Sequence, residues 1–322
     1  MLTREEVEAI TQGAEEVREE NGAFHFYRFT REQTEKYREC STLVPRTFAT
    51  AGVKLVCRTD AAFLSLDYEM TLWASTNRRY AFFDIYANGK EIAHTGATEA
   101  EGAKGSLRIR LPEGEKKVEL FMPWSASLTL SRVDFEKASF VTPVKPRCRM
   151  LIYGDSITQG YDAEHPSLSY ASRVASALDA EAVNKAVGGE RFIPGLLEVE
   201  EPFAADMALV AYGTNDWGAF SAEEEARRVR LFFERLTRMV PRVICVTPIW
   251  RADGEEERPL GMPLRAYADY IRPILAEFPT VRMVEGWDLV PHSPYLFRDF
   301  RLHPSDIGFA FYAENLLKAI SE

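Results

Sequence analysis

From about Val53 to Phe135 the chain alternates apolar and polar positions with a period of two. In Phe63-Leu64-Ser65-Leu66-Asp67-Tyr68-Glu69-Met70 the residues Leu64, Leu66, Tyr68 and Met70 share one face, as in a half-buried strand. Tyr80 to Tyr86 reads as a second strand, and Ala87-Asn88-Gly89-Lys90 as a hairpin turn of the Asn-Gly kind. Ser106 to Leu111 alternates again, Pro112-Glu113-Gly114 turns the chain into Lys117–Phe121, and Ser127–Val133 makes one more strand. Short strands with near-regular turn signals imply a β-sandwich or jelly roll. The first forty residues, helix-like and then mixed, are expected to pack against it.

Around Pro143 and Pro146 the period changes. Strands are expected at 149–153, 182–187, 207–212, 242–247 and 280–284, with helices at 168–179, 221–239, 262–277 and 307–320. The helix after Phe220 opens with Ser221 and Glu224 as a capping box, and Val229, Phe232, Phe233, Leu236 and Met239 fall on one stripe. Alternating strands and helices mean a parallel sheet wrapped on both faces. The expectation is two domains: a β-sandwich over residues 1–143 with an N-terminal helical extension, and a three-layer α/β/α domain over 147–322. A chain of 322 residues suits two such cores.

Charge narrows the partners. A net charge of −10 argues against a nucleic-acid surface, which needs clustered Lys and Arg, and against docking on an anionic membrane. The opening Met1-Leu2-Thr3-Arg4-Glu5-Glu6 is acidic and lacks the apolar core of a signal peptide, and no apolar stretch approaches a membrane span. Cys40, Cys57, Cys148 and Cys245 are scattered without metal-ligand spacing, and Cys57 and Cys245 sit in strand-like runs, where they read as small buried apolar residues. The reading is a reduced, cytoplasmic protein with no metal. No GxGxxG or P-loop is present, so no nucleotide cofactor is expected.

Four positions in the second half could carry chemistry. The apolar run Met150-Leu151-Ile152-Tyr153 leads into Gly154-Asp155-Ser156-Ile157, a strand ending in a tight turn with a serine at a helix start. Asn184-Lys185-Ala186-Val187-Gly188-Gly189 and Gly213-Thr214-Asn215-Asp216 follow the next two strands, and His303-Pro304 precedes the last helix. All lie where strands of a parallel sheet end, so they can converge on one crevice. A serine hydroxyl needs an imidazole to take its proton, and the oxyanion of acyl transfer needs fixed donors. The backbone N–H groups of Ser156 and Gly189 and the Asn215 amide could supply them. Any one of these blocks alone reads equally well as a turn or loop.

Together, and in this order, the four blocks resemble those of the SGNH (GDSL-type) hydrolase superfamily over about residues 148–320. The resemblance implies a flavodoxin-like α/β fold, Ser156 as nucleophile, His303 as base, and Ser156, Gly189 and Asn215 as the oxyanion hole. A jelly-roll domain ahead of such a domain further resembles the family-two carbohydrate esterases. One position departs: the family's acid stands three residues before the histidine, where this chain has Phe300. Either Asp299, four before, completes a triad, or His303 is oriented by a backbone carbonyl as a dyad; Asp299 is favoured. Asp155 and Trp217 are further candidates for substrate contact, although Trp217 reads equally well as core. His25, His94, His165 and His292 are expected to have no catalytic role. The expected function is a serine esterase acting on a small acyl ester, foremost an O-acetylated sugar. Short-chain lipase-like or thioesterase activity is the alternative, and a non-catalytic carbohydrate-binding protein the least favoured. Homo-oligomerisation is open.

Overall fold

A computed structural model describes residues 1–38, 42–75, 78–98 and 103–321. Cys40 therefore lies outside the described residues. The N-terminal part runs α1 (Arg4–Ile10), β1 (Thr11–Gln12), β2 (Glu16–Glu20), β3 (Ala23–Tyr27), α2 (Arg31–Glu35) and α3 (Val44–Thr47). It continues through β4 (Lys54–Thr59), β5 (Phe63–Trp73), β6 (Tyr80–Ala87), β7 (Lys90–Thr98), β8 (Lys104–Arg110), β9 (Lys116–Phe121), β10 (Ala126–Glu136) and β11 (Val141–Pro143). Two antiparallel sheets result, ordered β1-β4-β9-β6-β7 with β11 beside β4, and β2-β3-β10-β5-β8. Their facing side chains, among them Leu64, Leu66, Phe83, Ile85, Val118, Leu120, Leu128 and Leu130, form one apolar core. Asn88 and Gly89 both take positive φ (51° and 76°), as the hairpin between β6 and β7 requires. The first forty residues do more than pack against this sandwich: β1 joins one sheet and the β2–β3 hairpin the other.

The second part alternates β12 (Cys148–Gly154), α4 (Ser156–Gln159), α5 (Tyr170–Ala177), β13 (Ala180–Asn184), β14 (Met207–Ala211), α6 (Ala222–Met239), β15 (Val243–Val246), α7 (Tyr267–Leu275), β16 (Val281–Val284) and α8 (Asp306–Ser321). All of its strand pairs are parallel, in the order β13-β12-β14-β15-β16. Numbered within this sheet that is 2-1-3-4-5, the flavodoxin-like order, whose switch point lies beside its first strand. Alternate strand residues face opposite layers. Leu151, Tyr153, Val210 and Cys245 pack with α6 and α7, while Met150, Ile152, Leu209 and Ile244 pack with α5 and α8. Ser221 caps α6 by accepting the Glu224 N–H at 3.3 Å, but the Glu224 carboxylate pairs with Arg227 and Arg228 instead of closing the box. Cys57 and Cys245 are free and buried. Among the described residues no helix is long and apolar enough to cross a membrane.

The two parts interlock. Phe29, Tyr37 and Leu43 enter the α6–α7 side of the α/β core, and Ala51 and Trp124 the α5–α8 side. Trp124 donates its indole N–H to the Ala163 carbonyl at 2.8 Å, and the Tyr161 hydroxyl donates to the Ala74 carbonyl at 2.7 Å. The sandwich thus reaches the loops at the carboxyl edge of the parallel sheet.

Candidate active site

β12 is almost wholly buried and ends at Gly154, where a Cβ would run into Thr158. Asp155 caps the one-turn helix α4 by accepting the Ile157 N–H at 2.9 Å, and Ser156 is its first residue. The serine hydroxyl meets His303 Nε2 at 2.9 Å, and His303 Nδ1 meets Asp299 Oδ2 at 2.7 Å. Ser156 and His303 are 7% and 9% exposed, so the pair sits in a crevice with only a narrow face open to solvent. Tyr161 stacks on the imidazole, with ring centroids 5.7 Å apart.

The loop before His303 explains how an acid four residues upstream reaches the ring. Phe300 adopts the left-handed region (φ 55°) with its side chain 63% exposed. This bulge takes up the extra residue and curls the chain around the carboxylate. Asp299 Oδ1 then accepts three backbone N–H groups, from Arg301 (3.0 Å), Leu302 (2.7 Å) and His303 (3.1 Å), leaving Oδ2 for the ring. Partial burial works to raise the Asp299 pKa. The His303 contact and the backbone donors outweigh it and hold the carboxyl well below the usual carboxylate range.

Ser156, Gly189 and Asn215 follow the ends of three adjacent strands, and hydrogen bonds stitch their loops together. Val187 N–H donates to the Gly154 carbonyl (3.1 Å), Gly188 N–H to Gln159 Oε1 (2.7 Å), and Asn215 Nδ2 to the Glu190 carbonyl (2.9 Å). Asn184 Nδ2 donates to the Thr158 carbonyl at 2.8 Å. Among the described residues the N–H groups of Ser156 and Gly189 have no acceptor, as donors kept for a ligand oxygen would. Gly189 has φ 82°, a conformation glycine adopts without strain.

Two candidates are held away from solvent. Trp217 is 1% exposed, packed in the α6–α7 core, with its indole N–H given to the Met262 carbonyl at 2.7 Å. Asp155 is enclosed beneath the Gly154–Ser156 turn, and burial, against the opposing Ile157 N–H, pushes its carboxyl up to about 7. Asp216, in the same block as Asn215, holds its loop by accepting from Phe192 (2.9 Å) and Gly213 (3.1 Å) N–H.

Sequence reasoning missed residues that only the fold brings here. Asp162 is 3% exposed, sits at φ 70°, and points an unpartnered Oδ2 at His303 Nδ1 from 3.8 Å. Arg78 joins it from the sandwich, with Nε 2.7 Å from Asp162 Oδ1 and Nη2 3.5 Å from Asp299 Oδ2. Nothing in the spacing of Asp162 or Arg78 marks them. Elsewhere, His94 and His165 stack 3.7 Å apart and both direct Nδ1 at Asp84 Oδ1 (2.7 and 3.1 Å), a cluster between the domains that the scattered sequence positions concealed. Both ring nitrogens converge on the one Asp84 oxygen, and the arrangement reads as a hydrogen-bonded staple.

Residues 152–311 match the GDSL-like Lipase/Acylhydrolase family. No curated protein sequence is significantly similar to the chain. Among solved structures, the salicylyl-acyltransferase SsfX3 from a tetracycline biosynthetic pathway superposes with a TM-score of 0.79 at 20% identity, covering 97% of this chain and 93% of that one. A GDSL-like lipase candidate from Bacteroides ovatus gives 0.76 at 18%, covering 99% and 96%. A family two carbohydrate esterase from Cellvibrio japonicus gives 0.65 at 16%, covering 98% and 95%. At these identities the superpositions establish the fold, sandwich included. The family match, the strand order and the four blocks gathered at one crevice identify residues 152–311, within the α/β part of the chain, as a GDSL-like lipase/acylhydrolase domain.

Proposed function

We propose that the protein is a serine esterase that removes small acyl groups, O-acetyl groups of carbohydrates foremost, through an acyl-enzyme. The observation that carries the reading is the continuous relay Ser156 Oγ–His303 Nε2–His303 Nδ1–Asp299 Oδ2, with contacts of 2.9 and 2.7 Å. His303 takes the Ser156 proton as Oγ attacks the ester carbonyl, and Asp299 fixes the tautomer and stabilises the imidazolium. The oxyanion that forms is met by the Ser156 and Gly189 N–H groups and the Asn215 amide. Collapse expels the alcohol, which takes the proton back from His303. Water, activated by the same imidazole, then releases the acid.

The acetyl-sugar reading is supported by the sandwich-plus-α/β architecture shared with family two carbohydrate esterases. One observation keeps a second acceptor in view: the fold is shared with an acyltransferase. An alcohol could then replace water in the second half-reaction without any change in the residues above. The test is hydrolysis of p-nitrophenyl acetate against the octanoate, by wild type and Ser156→Ala. Acetate turnover that is lost in Ser156→Ala and exceeds octanoate at least tenfold supports the deacetylase. Preference for octanoate turns the assignment to a lipase-like esterase, and glycan binding without turnover to a binding protein.

A further inference from the structure

We propose that Arg46, carried on α3 in the sandwich half of the chain, is a positioning residue of the oxyanion hole. The inference rests on the esterase reading above and concerns how its Gly189 donor is set. Arg46 Nη1 donates to the Gly188 carbonyl, and its Nε donates to the Ala74 carbonyl at 3.1 Å. The Gly188 carbonyl and the Gly189 N–H belong to one planar trans peptide, so they point in opposite directions. Pulling the oxygen towards Arg46 therefore turns the Gly189 N–H to the other side, where it has no acceptor among the described residues. A cation on the carbonyl also polarises the amide and makes its N–H a stronger donor.

The packing leaves little freedom. A Cβ at Gly189 would lie 2.9 Å from Arg46 Nη1, so the guanidinium occupies the room that any side chain there would need. Arg46 is fixed in turn by Arg28, which is fully buried. Arg28 Nη2 donates to the Arg46 carbonyl at 2.8 Å, and its Nη1 donates to the Ala186 carbonyl at 3.0 Å and to that of Asn184. Two arginines from the first 50 residues thus hold the carbonyls of Asn184, Ala186 and Gly188, in the block that ends in the oxyanion donor. On this account the sandwich half is part of the site, because the hole is incomplete without it.

The experiment compares wild type, Arg46→Met and Arg46→Lys on p-nitrophenyl acetate, with phenylboronic acid as the probe that forms a tetrahedral adduct on the serine. In Arg46→Met we expect kcat to fall about 10- to 100-fold with KM within about threefold, and boronate affinity to weaken alongside kcat. Arg46→Lys, which keeps a donor and a charge, recovers part of both. Each variant is assayed only on material whose melting curve is cooperative, and Lys serves if Met does not fold. Unchanged kcat and boronate affinity in a folded variant overturns the inference while leaving the esterase reading intact. Equal loss of KM-limited and boronate binding would mean a general packing role and overturns it too. Activity that survives Ser156→Ala refutes the underlying reading instead.

Discussion

Replacing Asp299 tests the relay where the sequence left it open. The carboxylate accepts one bond from the ring through Oδ2, at 2.7 Å, and three backbone N–H groups through Oδ1. Asp299→Asn keeps an acceptor for the backbone but presents a donor or a neutral oxygen to Nδ1, so the loop is retained while the charge is lost. A hydrogen bond to a charged group contributes roughly 1.5–3 kcal/mol, which at about 1.4 kcal/mol per decade is about a 10- to 150-fold fall in kcat. Serine enzymes that have a single orienting acid can lose about 10⁴-fold on this change. The smaller figure is expected here because Asp162 Oδ2, buried and unpartnered, already stands 3.8 Å from the same nitrogen. In the double variant Asp299→Asn/Asp162→Asn the loss should approach the full 10⁴-fold. The assay is p-nitrophenyl acetate turnover from pH 4 to 9, with a melting curve for each protein. An Asp299→Asn enzyme within twofold of wild type would refute the triad and leave a dyad. A double variant no worse than the single would remove Asp162 from the argument.

Other predictions rest on independent features. Phe300→Gly relieves a left-handed residue that costs a β-carbon-bearing side chain about 1 kcal/mol, so stability should rise or hold while kcat stays within about twofold; a marked loss of activity would mean the exposed ring contacts substrate. Asp155 has a folded-state pKa near 7, raised from 3.8, so its protonated form is the one the fold favours. Its contribution to stability is complete below about pH 4 and is lost as pH rises to about 7. In denaturant titrations Asp155→Asn should therefore gain on wild type between pH 5 and pH 8, and parallel pH curves would contradict the assignment. Trp217→Phe should lower the melting temperature, through a lost indole N–H bond and lost volume, but leave KM unchanged; a rise in KM of tenfold would restore Trp217 as a substrate contact.

The elements that were legible in the sequence are those whose burial follows one simple period. Leu64, Leu66, Tyr68 and Met70 alternate because β5 has one face in the sandwich core, and all four are buried. The α6 stripe from Val229 to Leu236 is equally plain because that helix lies on the sheet with a single apolar face. The first forty residues were less legible: β1 is two residues long, and β4, the strand that pairs with it, lies far along the chain. Ser156, Gly189, Asn215 and His303 are visible because each belongs to a short local motif, after a strand for the first three and before the last helix for His303. Arg28, Arg46, Arg78 and Asp162 are not, because what they do depends on contacts with residues far along the chain, Arg28 with Ala186 and Arg78 with Asp299 among them. Trp217 follows a strand on the catalytic side, yet the indole turns inward, and no local pattern distinguishes the two directions.

The central claim is that Ser156 becomes acylated. The most direct measurement is intact-protein mass spectrometry after brief reaction with p-nitrophenyl acetate and, separately, with a p-nitrophenyl phosphonate, followed by peptide mapping. The account predicts one phosphonyl group per chain on Ser156, a transient acetyl adduct on the same residue, and neither adduct in Ser156→Ala. Labelling elsewhere at equal rate, or none while the ester is still turned over, would contradict it.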